Sequence, residues 1–129
     1  MKTILVDAVD VFVIEGEGIY EPMHHLLETY PNRKIILTNA NDEQMQTFGL
    51  TDMPYELFTL KHNPDKPNPE YFKAMLAHFG LKPEEVVYFE HNPHAVESAE
   101  SVGIQSYHYD ETKRDLSALK GFLDDSLKG

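Results

Sequence analysis

Polar and apolar positions along the 129-residue chain follow two alternating patterns. Five short runs read as strands: Thr3–Val6, Lys34–Leu37, Leu57–Leu60, Val86–Phe89 and Gln105–Tyr109. Unbroken hydrophobicity, as in Ile35-Ile36-Leu37 and Val86-Val87-Tyr88-Phe89, predicts strands covered on both faces, because a sheet with one wet face alternates. Between the strands the apolar residues recur at helical spacing. Met23, Leu26, Leu27 and Tyr30 share one face, as do Phe72, Met75, Leu76 and Phe79. Ala95, Val96, Ala99 and Val102 repeat the pattern, and Leu116, Leu119, Phe122 and Leu123 carry it to the carboxyl end. Pro22, Pro69 and Pro93 stand where helices start, Gly80 and Gly103 where they stop. Asn41–Leu50 is a weaker helix with only Met45 and Phe48 turned inward.

Strands alternating with helices predict a parallel sheet with right-handed crossovers. The expected fold is α/β, a three-layer sandwich around a five-stranded parallel, Rossmann-like sheet, formed as one domain over residues 1–129. Asn63-Pro64-Asp65-Lys66-Pro67-Asn68-Pro69 is too rich in proline to be strand or helix interior and reads as a rigid loop.

Charge narrows the partners. With 11 basic and 22 acidic residues the formal charge is −11, which argues against a nucleic-acid backbone or an anionic membrane. The absence of cysteine excludes disulfides, thiolate nucleophiles and zinc-thiolate sites. No stretch reaches transmembrane length, and the first residues lack the pattern of a signal peptide, so a cytoplasmic protein is expected.

In such a sheet the carboxyl ends of the strands share one rim, where α/β proteins place their chemistry. The first strand runs into Asp7, the second into Thr38 and Asn39, and the fourth into Glu90, His91 and Asn92, while Lys66 sits in the proline loop. A carboxylate, a hydroxyl, an ammonium and a second acid on one crevice suit phosphoryl transfer. An aspartate can serve as covalent nucleophile, and hydroxyl, lysine and metal can neutralise the phosphate oxygens.

The order and spacing of these segments resemble the haloacid dehalogenase-like superfamily over nearly the whole chain. "ILVDAVDVFV" is similar to its first motif, "KIILTNA" to its second, "KPNPEYFKAML" to its third and "VVYFEHNPHAVESAESVGI" to its fourth. The resemblance implies Asp7 as the nucleophile that forms an aspartyl-phosphate, and Thr38 and Asn39 as phosphate-binding residues. It implies Lys66 as the balancing charge. Asp7, the backbone carbonyl of Val9, Glu90 and His91 would be the metal site, with magnesium the expected cofactor.

The departures from the pattern matter as much. Phosphatases of this superfamily carry a second aspartate two residues after the nucleophile as general acid/base. Here that residue is Val9, and loss of a positioned acid/base typically costs ~10²–10⁴ in rate. Asp10, one residue on, is the candidate to replace it, although aspartate at a turn is more often a local cap. His91 stands where a second acid is usual, which weakens magnesium and favours zinc, nickel or manganese. Family members that act on small metabolites insert a lid, but only 30 residues separate Asp7 from Thr38 and 27 separate Thr38 from Lys66, so no cap domain is expected. The reading is a weak, metal-dependent phosphatase acting on a phosphorylated substrate. The alternative is a catalytically inactive domain that binds a macromolecular or phosphate-bearing partner. Metal-free dehalogenation ranks lower, because a small haloacid needs an enclosed apolar pocket. His24, His25 and His94 read as surface or helix-opening residues. Phe12 and Ile14, placed on a hairpin after the first motif, would form an exposed apolar edge suited to a homodimer.

Overall fold

The computed structural model describes residues 1–128. The strands are β1 (Thr3–Asp7), β2 (Val13–Ile14), β3 (Gly18–Ile19), β4 (Lys34–Thr38), β5 (Glu56–Thr59), β6 (Val86–Glu90) and β7 (Gln105–His108). The helices are α1 (Glu21–Glu28), α2 (Asp42–Thr47), α3 (Pro69–Phe79), α4 (Pro93–Ser101) and α5 (Leu116–Ser126). Five strands form a sheet in the order β5-β4-β1-β6-β7, every neighbouring pair parallel, and β2 and β3 make a small antiparallel hairpin.

Alternation along the strands divides the core in two. Ile4, Val6, Ile36, Val87 and Phe89 pack on one face with Met23 and Leu27 of α1 and Leu119 and Leu123 of α5. Leu5, Ile35, Leu37 and Tyr88 pack on the other with Tyr71, Phe72, Met75 and Leu76 of α3 and Ala99 of α4. The three expected layers are therefore present, and β1, β4 and β6 are buried along their whole length because each side chain meets one core or the other.

Helix boundaries follow local chemistry. Asn68 and Asn92 accept hydrogen bonds at the starts of α3 and α4, where Pro69 and Pro93 occupy first-turn positions. Gly80, at φ 65°, ends α3 in the left-handed conformation that residues with a Cβ disfavour. The weak Asn41–Leu50 segment shortens to α2, closed by a reciprocal pair between Asn41 and Gln44.

Two expectations about the amino-terminal third are corrected. Phe12 is fully buried, packed edge-on to His24 and tilted against Tyr55, because the chain after β1 turns inward. Phe12 therefore contributes nothing to an exposed apolar edge, whereas Ile14, its partner in that expectation, is half-buried. His24, expected at the surface, fills that aromatic cluster, whereas His25 is exposed. No helix is long and apolar enough to cross a membrane among the described residues.

Candidate functional site

The sheet order makes the site. From β1 the chain crosses to β4 on one side, and the later strands β6 and β7 extend the sheet on the other. The carboxyl ends of β4, β1 and β6 therefore frame a switch point where the crossovers diverge. Each of these strands runs one residue beyond its apolar stretch, ending at Thr38, Asp7 and Glu90, so three polar residues enter the rim in strand geometry. A crevice of about 170 Å³ opens there. Asp7, Val9, Thr38 and Asn39 line it together with Lys66, Glu90 and His91. Of the residues expected from sequence, only Asp10 stands outside, on the turn after β1 at φ 70°, with its carboxylate half exposed.

Four charged side chains close a ring at the floor. The Lys66 ammonium donates to Asp7 Oδ1 at 2.6 Å and to Glu90 Oε1 at 3.0 Å. The ring Nδ1 of His91 bonds Asp7 Oδ2 and lies 3.1 Å from Glu90 Oε2. Backbone amides reinforce the same oxygens: His91 N–H donates to Asp7 Oδ2 at 3.2 Å and Asn92 N–H to Glu90 Oε2 at 3.1 Å. The Tyr88 hydroxyl donates to Glu90 Oε1. Every carboxylate oxygen thus has a donor, although Asp7, Lys66 and Glu90 are only 2%, 5% and 1% exposed. Buried charges persist when paired and hydrogen-bonded in this way.

Electrostatics follow from that geometry. Burial, with the Glu90 carboxylate beside it, pushes Asp7 up to about 6, while Lys66 pulls against the rise. Burial is the largest influence on Glu90 and raises it, but Lys66 and the hydrogen bonds with Asp7, His91 and Tyr88 together outweigh it and hold that carboxyl well below its usual range. Hydrogen bonding to Asp7 and then to Glu90 raises His91 to about 10, so the imidazole is charged at neutral pH. Burial works against the Lys66 ammonium, and Asp7 and Glu90 more than compensate.

The opposite wall is held by neutral groups. Asn39 Oδ1 accepts from the Lys66 backbone N–H at 2.8 Å and so anchors the proline loop. Thr38 Oγ1 accepts from Ala40 N–H at 3.2 Å. The buried Tyr71 hydroxyl donates to the carbonyls of Thr38 and Phe58, tying α3 to the ends of β4 and β5. His62, not singled out from sequence, lines the rim with Nδ1 2.7 Å from Asp65 Oδ1 and Nε2 2.5 Å from Gln44 Oε1. The histidine-to-aspartate spacing within a proline-stiffened loop was the available signal. Tyr88 was also missed as a polar partner, because an apolar strand run hides a hydroxyl.

Asp7, Glu90 and His91 each offer a ligand atom, all within 4.8 Å of one another, a spacing that suits a divalent cation. The arrangement itself does not fit magnesium, which demands near-octahedral hard oxygens: the oxygens that would ligate it share the His91 ring nitrogen instead.

Comparison with known proteins agrees with the geometry. A family model described as haloacid dehalogenase-like hydrolase matches residues 13–108. The chain belongs to the haloacid dehalogenase-like hydrolase family. The match begins after Asp7 and Val9, so the altered first motif lies outside it. Among solved structures, a haloacid dehalogenase family enzyme from Bacteroides thetaiotaomicron, in complex with magnesium and inorganic phosphate, superposes with TM-score 0.74 at 16% identity, covering 92% of this chain and 98% of that one. A predicted haloacid dehalogenase-like hydrolase from Porphyromonas gingivalis gives 0.68 at 15% identity, over 95% and 98%. A subfamily IA hydrolase of the superfamily from Geobacter sulfurreducens gives 0.64 at 15% identity, over 84% and 89%. No curated protein matches.

Proposed function

We propose that this haloacid dehalogenase-like domain has exchanged hydrolysis for binding, and that its uncovered crevice receives a phosphate-bearing or macromolecular ligand without turning it over. One observation carries the reading: both oxygens of Asp7 are held by cations, Oδ1 by Lys66 and Oδ2 by His91, which draws electron density from the carboxylate and blunts it as a nucleophile toward phosphorus. The side chain two residues on is Val9, which can neither protonate a leaving oxygen nor activate water. The elements between Asp7 and Lys66 are the hairpin, α1, β4, α2 and β5, which leaves only short segments there and supports the reading of a crevice without a lid domain. Water and large ligands can therefore both reach it.

A slow phosphatase is the competing reading, and the intact wall favours it: Thr38 and Lys66 stand beside Asp7 in one crevice, as stabilisation of a transferring phosphoryl group requires. In a working enzyme Asp7 would attack phosphorus as the ester P–O bond breaks, the leaving oxygen departing as the anion and taking its proton from solvent, and water would then hydrolyse the aspartyl-phosphate to phosphate and free Asp7, with Lys66 balancing the charge. An aryl phosphate, whose good leaving group needs a general acid least, separates the two. Wild-type protein is expected to show no turnover with magnesium, manganese, cobalt, nickel or zinc, and Val9→Asp alone is expected to restore none. Turnover that Asp7→Asn abolishes would establish the phosphatase instead.

A further inference from the structure

We infer that the His91 side chain is a tethered cation that has taken over the place of a metal ion between Asp7 and Glu90, so that this crevice is assembled without a divalent metal. The inference deepens the non-hydrolytic reading above and rests on it for the role of the crevice.

A metal held by Asp7 and Glu90 would need oxygens facing a common point. Two pairs do so: Asp7 Oδ1 with Glu90 Oε1, whose common point holds the Lys66 ammonium, and Asp7 Oδ2 with Glu90 Oε2, whose common point holds His91 Nδ1, bonded to the first and 3.1 Å from the second. A ring nitrogen shared by two carboxylate oxygens must carry a proton, since a lone pair there would face only other lone pairs. The ring's other nitrogen, Nε2, turns toward a third carboxylate, Asp10 Oδ2, at 3.9 Å. Three acids therefore surround one imidazole, as acids would surround a metal.

The ring is also fixed from behind. His91 N–H donates to Asp7 Oδ2, and the His91 carbonyl accepts from His108 Nε2 at 2.8 Å. The residue thus enters the site from a pinned backbone at the end of β6, and releasing the position to a metal would require swinging the ring out and breaking its contacts with Asp7 and Glu90. Lys66 supplies the second positive charge on the remaining oxygens. Two carboxylates and two cations then sum to zero, and a dication added to them would leave a buried excess of positive charge.

The test is metal binding, which can be read whether or not anything is hydrolysed. Protein stripped with a chelator is titrated with magnesium, manganese, zinc and nickel in turn by calorimetry, in parallel with His91→Asp, and the melting temperature is followed in each case. The wild type is expected to give no binding heat and an unmoved melting temperature at millimolar metal. His91→Asp is expected to bind at least tenfold more tightly and to melt higher when loaded. Binding of magnesium or manganese by the wild type as tight as by His91→Asp would overturn the inference. So would binding of zinc or nickel that His91→Asp loses, because His91 would then be a ligand rather than a substitute. Should His91→Asp fail to fold, nitrogen-15 spectra of the wild-type imidazole decide: a His91 Nδ1–H signal unchanged by magnesium and zinc upholds the substitution, and its loss on adding either metal rejects it. A failed hydrolysis assay leaves these outcomes standing, and aryl-phosphate turnover in chelator-treated protein would reject the non-hydrolytic reading while sparing this one.

Discussion

The two walls of the crevice have diverged in different ways. On the β4 side, Thr38 and Asn39, which under the proposed reading would hold an oxyanion, are anchored by neutral hydrogen bonds to backbone. On the β1–β6 side, Val9 and His91 replace the groups that would move a proton and hold a metal, and charge now meets charge directly. On the proposed reading, retention and transformation of a ligand would reside on separate strand ends, so that one could change while the other is preserved. The contrast also teaches that a buried charged wall needs internal balance. Two carboxylates with Lys66 alone would carry one uncompensated negative charge, and a protonated imidazole restores the sum.

The largest predicted break in this comparison is Lys66→Met. It leaves Asp7 and Glu90 buried with one cation fewer, and removing one partner of such a set typically costs ~3–5 kcal/mol. Urea unfolding should show that loss, while Asn39→Ala on the neutral wall, which strips the Lys66 N–H of its acceptor, should cost only ~1–3 kcal/mol. Equal losses would mean the walls are not energetically distinct.

Next in size is the response to alkali. His91 is raised to about 10 in the folded protein, against about 6.5 for an unperturbed imidazole. Between those values the folded chain binds more protons than the unfolded one, so stability falls as pH rises. The contribution is complete below about pH 6.5 and is lost through about pH 10, with a slope limited to about 1.4 kcal/mol per pH unit by the single proton involved. The urea midpoint of the wild type should therefore drop across that window, and His91→Gln should flatten it. A flat wild-type profile would remove the imidazolium from the ring.

Tyr88→Phe sharpens the comparison on a smaller scale. Glu90 Oε1 keeps Lys66 but loses the phenol, and a hydrogen bond to a charged group is worth roughly 1.5–3 kcal/mol. The smallest effect is expected of Asp10→Asn, since a half-exposed carboxylate 3.9 Å from the ring contributes within about 1 kcal/mol. Loss of several times that amount on calorimetric unfolding would make Asp10 a full member of the ring.

Most of the fold was legible because continuous apolar runs have one economical arrangement, a sheet covered on both sides. The strand ends were less so. Asp7, Thr38 and Glu90 are polar and looked like the residues that follow strands, yet they continue the burial of their strands into the rim. Hydrophobicity marks where a strand is dry, not where its ladder stops. Leu57–Leu60 was offset by one residue because Glu56 is exposed yet lies opposite Ile35 on the edge strand. Seven site residues found from motif order do meet in the crevice. Their partnerships were not legible, because the contact of His91 with Asp7 spans 84 positions and depends on β6 lying beside β1. Phe12 misled because local polarity around a turn says nothing about which way the turn folds.

The closed ring has a kinetic consequence. Its four charges cancel, so the crevice exerts little pull of its own on an ion in solution, while the remainder of a chain of formal charge −11 repels anions over the Debye length, about 10 Å at 0.1 M salt. A phosphate-bearing ligand would thus arrive against a field and be gripped only on contact. Added salt should hasten its capture while leaving its escape nearly unchanged, the reverse of an enzyme that draws its substrate in by charge.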